Sequence, residues 1–220
     1  MQHSNSQRQR QLPATDQAQR QQLRQQLKQR RAALSPQQRQ QAAQRLVEQV
    51  LPLLASSPAK LTVALYHSFA DELNTEPLLQ ALRQQGQRLL LPVLHPINRG
   101  QLLFLHDDGQ QALNLNRFGI AEPQLDCRKV VPLAQIDWLF TPLVGFDQQG
   151  QRLGMGGGFY DRTLASWQAG RYPQLQVAGL AYDCQQVERL PSAAWDVPLP
   201  LIVTPTRYYR FDSGSPSDNA

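Results

Sequence analysis

The sequence predicts an α/β protein with a three-layer, Rossmann-like fold and a mostly parallel central sheet of about six strands. Short apolar, β-branched runs typical of buried strands alternate along the chain with segments of helical periodicity. LTVALY (61–66), a helix over residues 75–86 and RLLLPVL (88–94) form a strand–helix–strand unit, which is the connection that builds parallel sheets. Sheets of this kind bind ligands where loops leave the carboxyl ends of their strands.

Two helices are predicted before the first strand. An apolar leucine stripe runs over residues 19–34, and four cations recur on a neighbouring face of that helix: Arg20, Arg24, Lys28 and Arg31. Ser35 supplies an N-cap for the second helix, with Pro36 at its first position and Gln38 at the capping-box position. The first helix therefore aligns positive charge along one side.

The remaining elements follow from apolar runs further along the chain. The predicted strands are QLLFLH (101–106), IDWLFTPLVGF (136–146), VAGLAY (177–182) and LIVT (201–204), with a helix near residues 158–168. Three loops fall at the expected carboxyl edge of the sheet, over residues 67–74, 145–161 and 183–196, and each carries carboxylates. These loops are where we expect a ligand.

Length and composition favour one soluble, cytoplasmic domain. The chain has 220 residues with 41% hydrophobic content, enough for one core. We assign residues 19–210 to a single α/β domain, residues 1–18 to a disordered polar tail and residues 211–220 to a flexible tail. The chain lacks an apolar run of membrane-spanning length and a signal-like amino terminus. Cys127 and Cys184 have no partners at zinc-ligand spacing, which favours buried free thiols.

The net charge of +5 is unevenly distributed. Residues 1–45 hold nine basic residues and one acidic residue, a net charge of +8, whereas the rest of the chain carries −3. A basic arm of this kind suits nucleic acid or a phosphate-bearing ligand. Nucleic-acid surfaces usually interleave aromatic side chains, and residues 1–45 contain no Phe, Tyr or Trp. The missing aromatic side chains count against nucleic acid, which is therefore the second hypothesis and not the first.

The stretch RLGMGGGFYDRTL (152–164) has four glycines in five positions, between a cation and a carboxylate. It matches neither a P-loop, which needs Lys and Ser/Thr after the last glycine, nor a dinucleotide fingerprint. Consecutive glycines that open a helix expose backbone N–H groups to an anion. Arg152 adds positive charge, Asp161 is a suitable Mg²⁺ ligand, and the aromatic pair offers a flat surface. The stretch predicts a phosphate beside a planar ligand; a tight packing turn is the alternative.

The order of these features resembles the 5-formyltetrahydrofolate cyclo-ligase family, also called 5,10-methenyltetrahydrofolate synthetase. The resemblance covers about residues 20 to 204. It rests on RQQLRQQLKQRRAALS, LYHSFADELNTEPLL, TPLVGFDQQGQRLGMGGGFYDRTL, AYDCQQ and a late aspartate, Asp196. It implies an ATP-dependent, Mg²⁺-requiring ring closure, in which the formyl oxygen is phosphorylated and N10 attacks the activated carbon to release ADP and phosphate.

The resemblance also implies roles for individual residues. Arg152 and Asp161 are the implied catalytic residues, and Asp161 with Asp196 holds the metal. The implied ATP-binding residues are Arg20, Arg24, Arg152, Leu153, Gly154, Met155, Gly156, Gly157, Gly158, Phe159 and Tyr160. The implied folate-binding residues are His67, Glu72, Met155, Gly156, Gly157, Gly158 and Phe159.

Three positions depart from the family pattern. Many members have Lys where Arg20 stands and Tyr where Phe159 stands, and the position of Met155 is often aromatic or basic. The expected partners are two small molecules, 5-formyltetrahydrofolate and ATP, without nucleic acid or membrane, and the expected state is a monomer. A different ATP-using or sugar-phosphate enzyme on a related sheet is the third hypothesis, since a fold does not fix its chemistry.

Overall fold

An eight-stranded sheet forms the centre of the computed structural model, which describes residues 13–55, 60–98 and 100–211. The helices within these ranges are α1 (Ala14–Ala32), α2 (Pro36–Leu54), α3 (Glu76–Gln84) and α4 (Phe159–Gln168). The strands are β1 (Thr62–Ala64), β2 (Arg88–Leu94), β3 (Leu102–Asp107), β4 (Leu113–Leu115), β5 (Ala121–Pro123), β6 (Val130–Val131), β7 (Trp138–Pro142), β8 (Gly145–Phe146), β9 (Arg152–Leu153), β10 (Gln176–Leu180), β11 (Leu201–Val203) and β12 (Tyr208–Arg210).

The strand order of the sheet is β12-β11-β10-β7-β1-β2-β3-β6. The five strands from β11 to β2 run parallel, while β12 pairs antiparallel at one margin and β3 and β6 at the other. The α/β class and the mostly parallel sheet are confirmed, but the count of about six strands is wrong. The two strands of this sheet that the sequence did not reveal are β6 and β12, short strands at its two edges. The Rossmann-like description stays a prediction.

Side chains that alternate along the strands face two separate cores. Val63 and Phe140 point into one core with α2 and α3, whereas their neighbours Ala64 and Leu139 point into the other core. Leu164 of α4 packs into this second core. The sheet therefore lies between two helical layers, as the three-layer prediction requires. The capping box of α2 is also confirmed, because Ser35 and Gln38 exchange hydrogen bonds of 2.8 and 3.2 Å.

Helix α1 packs on the loops at the carboxyl ends of the strands. Its buried Leu27 lies in a third apolar cluster with Val144, Leu153 and Leu190. The packing side of α1 also carries Arg20, which is 8% exposed. Leucine burial therefore turns the basic face of the helix toward the edge of the sheet where ligands bind.

Several sequence predictions change at the ends of the chain. Helix α1 begins at Ala14, so the predicted boundary of the polar tail at residue 18 is wrong, while residues 1–12 and 212–220 lie outside the described residues. The assignment of residues 19–210 to one domain stays a prediction. Cys127 is exposed and Cys184 is partly buried, so the expectation of buried thiols fails for Cys127. Helices that the structure describes are all too short or too polar to cross a membrane.

Candidate active site

A cleft of about 940 Å³ opens at the carboxyl ends of the parallel strands. The three predicted loops line it, together with α1, the glycine-rich stretch and the β4–β5 hairpin. Its volume is at the upper end of the range for sites that bind one small molecule, roughly 300–1,000 Å³. The cleft is therefore large for a site that binds one small molecule.

Helix α1 forms one wall through two arginines. Arg20 donates from both terminal nitrogens to the two carboxylate oxygens of Asp196, at 2.5 and 3.1 Å, and also to the Pro191 carbonyl at 3.0 Å. Arg24 donates from Nε to the Gly154 carbonyl at 2.9 Å. Burial lowers the pKa of Arg24, and the neighbouring charge of Arg20 lowers it further. Two cations thus lie side by side, where an anion would be stabilised.

A second arginine–aspartate pair lies at the base of the glycine-rich stretch. Arg152 is 5% exposed, and its Nη2 donates to Asp161 Oδ1 at 2.5 Å. The guanidinium also lies over the ring of Tyr160, 5.7 Å from its centroid. Its Nε atom is buried and has no hydrogen-bond partner among the described residues. A buried N–H without an acceptor costs free energy, so this group is suited to an anionic ligand.

Asp161 contacts the segment that carries Asp196. The backbone N–H of Val197, next to Asp196, donates to Asp161 Oδ1 at 3.3 Å. Hydrogen bonds from the described residues reach only this oxygen of Asp161 and leave Oδ2 free. Within the described ranges, His, Cys, Asp and Glu side chains form no group of three that could hold a metal. Two carboxylates nevertheless fit Mg²⁺, which is commonly bound by one or two carboxylates together with waters and substrate phosphates.

Local backbone geometry explains the glycines. Gly156 and Gly158 have φ values of 105° and 63°, in the left-handed region that favours glycine. A Cβ at Gly157 would lie 2.6 Å from the Phe159 ring. Gly158 is also the N-cap of α4, so the first backbone N–H groups of this helix lack intrahelical acceptors. Arg162 holds the outer side of the stretch by donating to the carbonyls of Gly157 and Gly100.

The acidic loop forms the opposite wall with His67 and Glu72. Glu72 Oε2 accepts the backbone N–H of Phe69 at 3.0 Å. Burial raises the pKa of Glu72, and the nearby charges of Arg31 and Lys28 partly oppose this shift. His67 lies 3.6 Å from Glu76, an ion pair only when the imidazole is protonated. Sequence reasoning expected both His67 and Glu72 in the site, and both line the cleft.

The β4–β5 hairpin contributes aromatic surface that the sequence did not reveal. Phe118, at its tip, is 49% exposed and meets Phe159 edge to face, with ring centroids 5.6 Å apart. Trp195 also lines the cleft. The hairpin is tied down by Glu122, which accepts the Leu94 N–H at 3.2 Å. The sequence signal for Phe118 is slight, a single aromatic beside a glycine in a polar segment.

The other residues predicted for the site also lie in this cleft. It is lined by Arg20, Arg24, Arg152, Gly154, Met155, Gly156, Gly157, Gly158, Phe159, Tyr160, Asp161 and Asp196. Leu153 does not line the cleft; it is buried in the cluster around Leu27. Its side chain anchors the strand that leads into the glycine-rich stretch. Its assignment as an ATP-binding residue stays a prediction.

The fold and cleft define an α/β protein whose cleft, at the carboxyl ends of the strands, combines arginine side chains with aromatic rings. A model of the 5-formyltetrahydrofolate cyclo-ligase family matches residues 16–205. The chain is 49% identical over 185 residues to 5-formyltetrahydrofolate cyclo-ligase of Escherichia coli K12, covering 84% of this chain and all of that protein. The Haemophilus influenzae enzyme of the same name is 48% identical over 180 residues, covering 82% and 94% of the two chains. The chain therefore belongs to the 5-formyltetrahydrofolate cyclo-ligase family.

Solved structures agree with this assignment. The NMR structure of Aquifex aeolicus 5,10-methenyltetrahydrofolate synthetase superposes with a TM-score of 0.71 at 29% identity, over 89% of this chain and 94% of that one. A 5,10-methenyltetrahydrofolate synthetase from Mycoplasma pneumoniae gives 0.67 at 27% identity, over 84% and 98%. The family resemblance predicted from the sequence is confirmed.

Proposed function

We propose that this protein is a 5-formyltetrahydrofolate cyclo-ligase that uses ATP and Mg²⁺. The observation that carries the proposal is the buried Arg152, which lines the cleft beside Asp161 and the amino terminus of α4 and whose Nε has no hydrogen-bond partner among the described residues. This arrangement suits a polyphosphate with its counter-ion. The family membership supplies the second ligand, a reduced folate. A monomer in the cytoplasm remains our expectation.

The reaction needs positioned charge rather than a nucleophilic side chain. The γ-phosphoryl group of ATP passes to the formyl oxygen, which releases ADP; N10 then attacks the activated carbon and loses its proton, and phosphate leaves to give the 5,10-methenyl product. Bound Mg²⁺ would offset phosphate charge, with Asp161 and Asp196 as its protein ligands. Arg20, Arg24 and Arg152 would orient the phosphates and stabilise the charge that develops during transfer.

The folate half of the cleft is assigned by hydrogen-bonding capacity and shape. An ionised Glu72 only accepts hydrogen bonds, which matches the donor edge of a reduced pterin. Phe118 and Phe159 offer ring surface for the aminobenzoyl group, and aromatic pairs of this kind add roughly 0.5–1.5 kcal/mol beyond the burial of their area. Glycine positions between Phe159 and Arg152 leave clearance for the two substrates to meet.

The direct test is a cyclisation assay. Purified protein with Mg²⁺, ATP and 5-formyltetrahydrofolate is expected to form the absorbance band of methenyltetrahydrofolate, and omission of ATP or addition of EDTA should abolish it. Arg152→Met should lose activity, whereas the exposed Arg128→Met should retain it. A wild-type protein that forms no product with all three components would refute the proposal.

Nucleic-acid binding has less support than this reaction. Arg20 is paired with Asp196 inside the cleft and is not displayed on an open surface. Arg24 is likewise engaged with Gly154. An RNA titration across salt concentrations is expected to show weak, unselective binding, because two of the cations of the basic arm are committed to the cleft.

A further inference from the structure

We propose that the two arginine–aspartate pairs of the cleft exchange partners when nucleotide and metal bind together. Building on the proposed function, Arg20 and Arg152 would turn to phosphate oxygens while Asp196 and Asp161 turn to the metal. Each pair is thus a resting arrangement in which a phosphate ligand and a metal ligand neutralise one another. The consequence is that Mg²⁺ and nucleotide bind synergistically, each poorly alone.

The geometry of the Arg20 pair favours an exchange. Both terminal nitrogens of Arg20 are used on Asp196, and both carboxylate oxygens are occupied. Oδ2 of Asp196 also accepts the Ala193 N–H at 2.8 Å. Asp196 is 7% exposed and Arg20 is 8% exposed, so the pair is shielded from water. Oδ2 of Asp196 accepts two hydrogen bonds and Oδ1 accepts one, so a metal ion that approaches Oδ1 meets the Arg20 guanidinium and is opposed by its positive charge.

The Arg152 pair is poised differently. Arg152 makes one hydrogen bond to Asp161 Oδ1, and its Nε is buried without a partner among the described residues. Asp161 Oδ2 receives no hydrogen bond within the same ranges. This pair can therefore accept a phosphate on one side and a metal on the other with a small rearrangement. The larger rearrangement is therefore the one between Arg20 and Asp196.

Charge balance turns the exchange into coupling between two ligands. A nucleotide without metal would bring negative charge toward Asp161 and Asp196, and would have to draw Arg20 away from its carboxylate. Metal without nucleotide would have to displace Arg20 when no phosphate oxygen is present to accept its hydrogen bonds. When both arrive, each broken ion pair is replaced by a new one, so the cost of desolvating an unpaired charge is avoided.

The sharpest test is the sign of the effect of Asp196→Asn on nucleotide binding. The probe is the non-hydrolysable imido analogue of ATP, measured by titration calorimetry in EDTA and again in excess Mg²⁺. Removing the carboxylate frees Arg20 and removes a negative charge near the phosphates. Metal-free binding should become about tenfold tighter, a modest effect for one unit charge a few ångströms away. Binding with Mg²⁺ should become about tenfold weaker, since a metal ligand is lost.

The matched control is Asp126→Asn, which breaks another bidentate arginine–aspartate pair, with Arg128, outside the cleft. This variant should leave both affinities unchanged. Asp161→Asn is a second variant in case Asp196→Asn unfolds, and a melting curve for each variant checks folding. Asp161→Asn should show the same opposite signs with a smaller metal-free gain.

The outcomes separate two questions. Opposite signs in EDTA and Mg²⁺ support partner exchange. If folded Asp196→Asn and Asp161→Asn proteins bind the metal-free analogue no more tightly than the wild type, the exchange is overturned while the proposed function stands. If the wild type fails to bind the analogue with Mg²⁺, both are overturned.

Discussion

Replacing Asp147 by Asn should separate the stability of the fold from the placement of the metal ligand. Asp147 is fully buried and accepts three backbone N–H groups. Gln149 and Gln151 donate to Oδ1 at 2.9 and 3.0 Å, and Leu190 donates to Oδ2 at 2.9 Å. The carboxylate thus ties the turn before Arg152 to the segment that leads to Asp196.

The cost follows from the bonds that Asn cannot make. An amide has one acceptor oxygen, so in either orientation its NH₂ group faces a backbone N–H. Losing a hydrogen bond to a charged acceptor and leaving a donor unpaired should cost about 3 kcal/mol. For a protein of this size the melting temperature should fall by roughly 6–12 °C. The retained Oδ1 would keep the turn and release the Leu190 segment.

The functional effect should appear in the dependence on ATP. If Asp196 moves with the released segment by about 1 Å, kcat/KM for ATP should fall by roughly 10- to 100-fold. Asp107→Asn is the matched control, because Asp107 is also a buried acceptor of three hydrogen bonds, from Arg83, Gly109 and Gln111. It lies at the opposite edge of the sheet, so it should lower stability without changing the ATP dependence.

Thermal melting and initial rates across ATP concentrations measure the two effects separately. A lower melting temperature together with a reduced kcat/KM for ATP agrees with the reasoning. A destabilised Asp147→Asn protein with the ATP dependence of the wild type would refute it, since the link from Asp147 to Leu190 would then have no part in placing Asp196.

Two further predictions concern the walls of the cleft. Gly157→Ala places a methyl group 2.6 Å from the Phe159 ring. The steric overlap should cost about 1–3 kcal/mol and raise KM for ATP about tenfold. The control is Gly170→Ala, which is strained at φ 77° but has nothing near the added methyl group, so it should change only stability. The raised pKa of Glu72 predicts that kcat/KM for the folate falls on acidification at a pH above the ordinary value of 4.5. Glu72→Gln should lack this limb in a pH–rate profile, and retention of the limb would exclude Glu72 as its source. Because folding raises this pKa, the contribution of Glu72 to stability is greatest below pH 4.5 and is lost as the pH rises through the shifted pKa, opposite to activity.

Elements set by local chemistry could be predicted from the sequence. The capping box at Ser35 and the parallel β1–α3–β2 unit follow from short-range patterns, and both are present. Helix α1 begins earlier than predicted because its first turns are polar and gave no apolar period. The edge strands β6 and β12 form because they pair with a neighbouring strand. A segment of two or three residues has no sequence pattern that would predict this pairing.

Most residues that line the cleft were expected from the sequence, but their pairing with each other was not. Arg20 and Asp196 are 176 residues apart, and only the folded sheet brings them together. Phe118 was missed because one aromatic in a polar hairpin carries no periodic signal. The family resemblance implied which charges would bind phosphate or metal, whereas the structure shows that each of these charges has a protein partner.

The arginine at position 20 gives the partner exchange its strength. A guanidinium presents two parallel N–H donors and occupies both oxygens of Asp196, whereas a lysine ammonium acts as a point charge and would satisfy one oxygen with less geometric constraint. In this chain a metal bound at Asp196 would therefore compete with a bidentate, shielded ion pair. The same fork matches a phosphate group once it is released. Compared with lysine, Arg20 neutralises Asp196 more strongly before ligands bind and contacts a phosphate better afterwards. Both effects increase the synergy between metal binding and nucleotide binding.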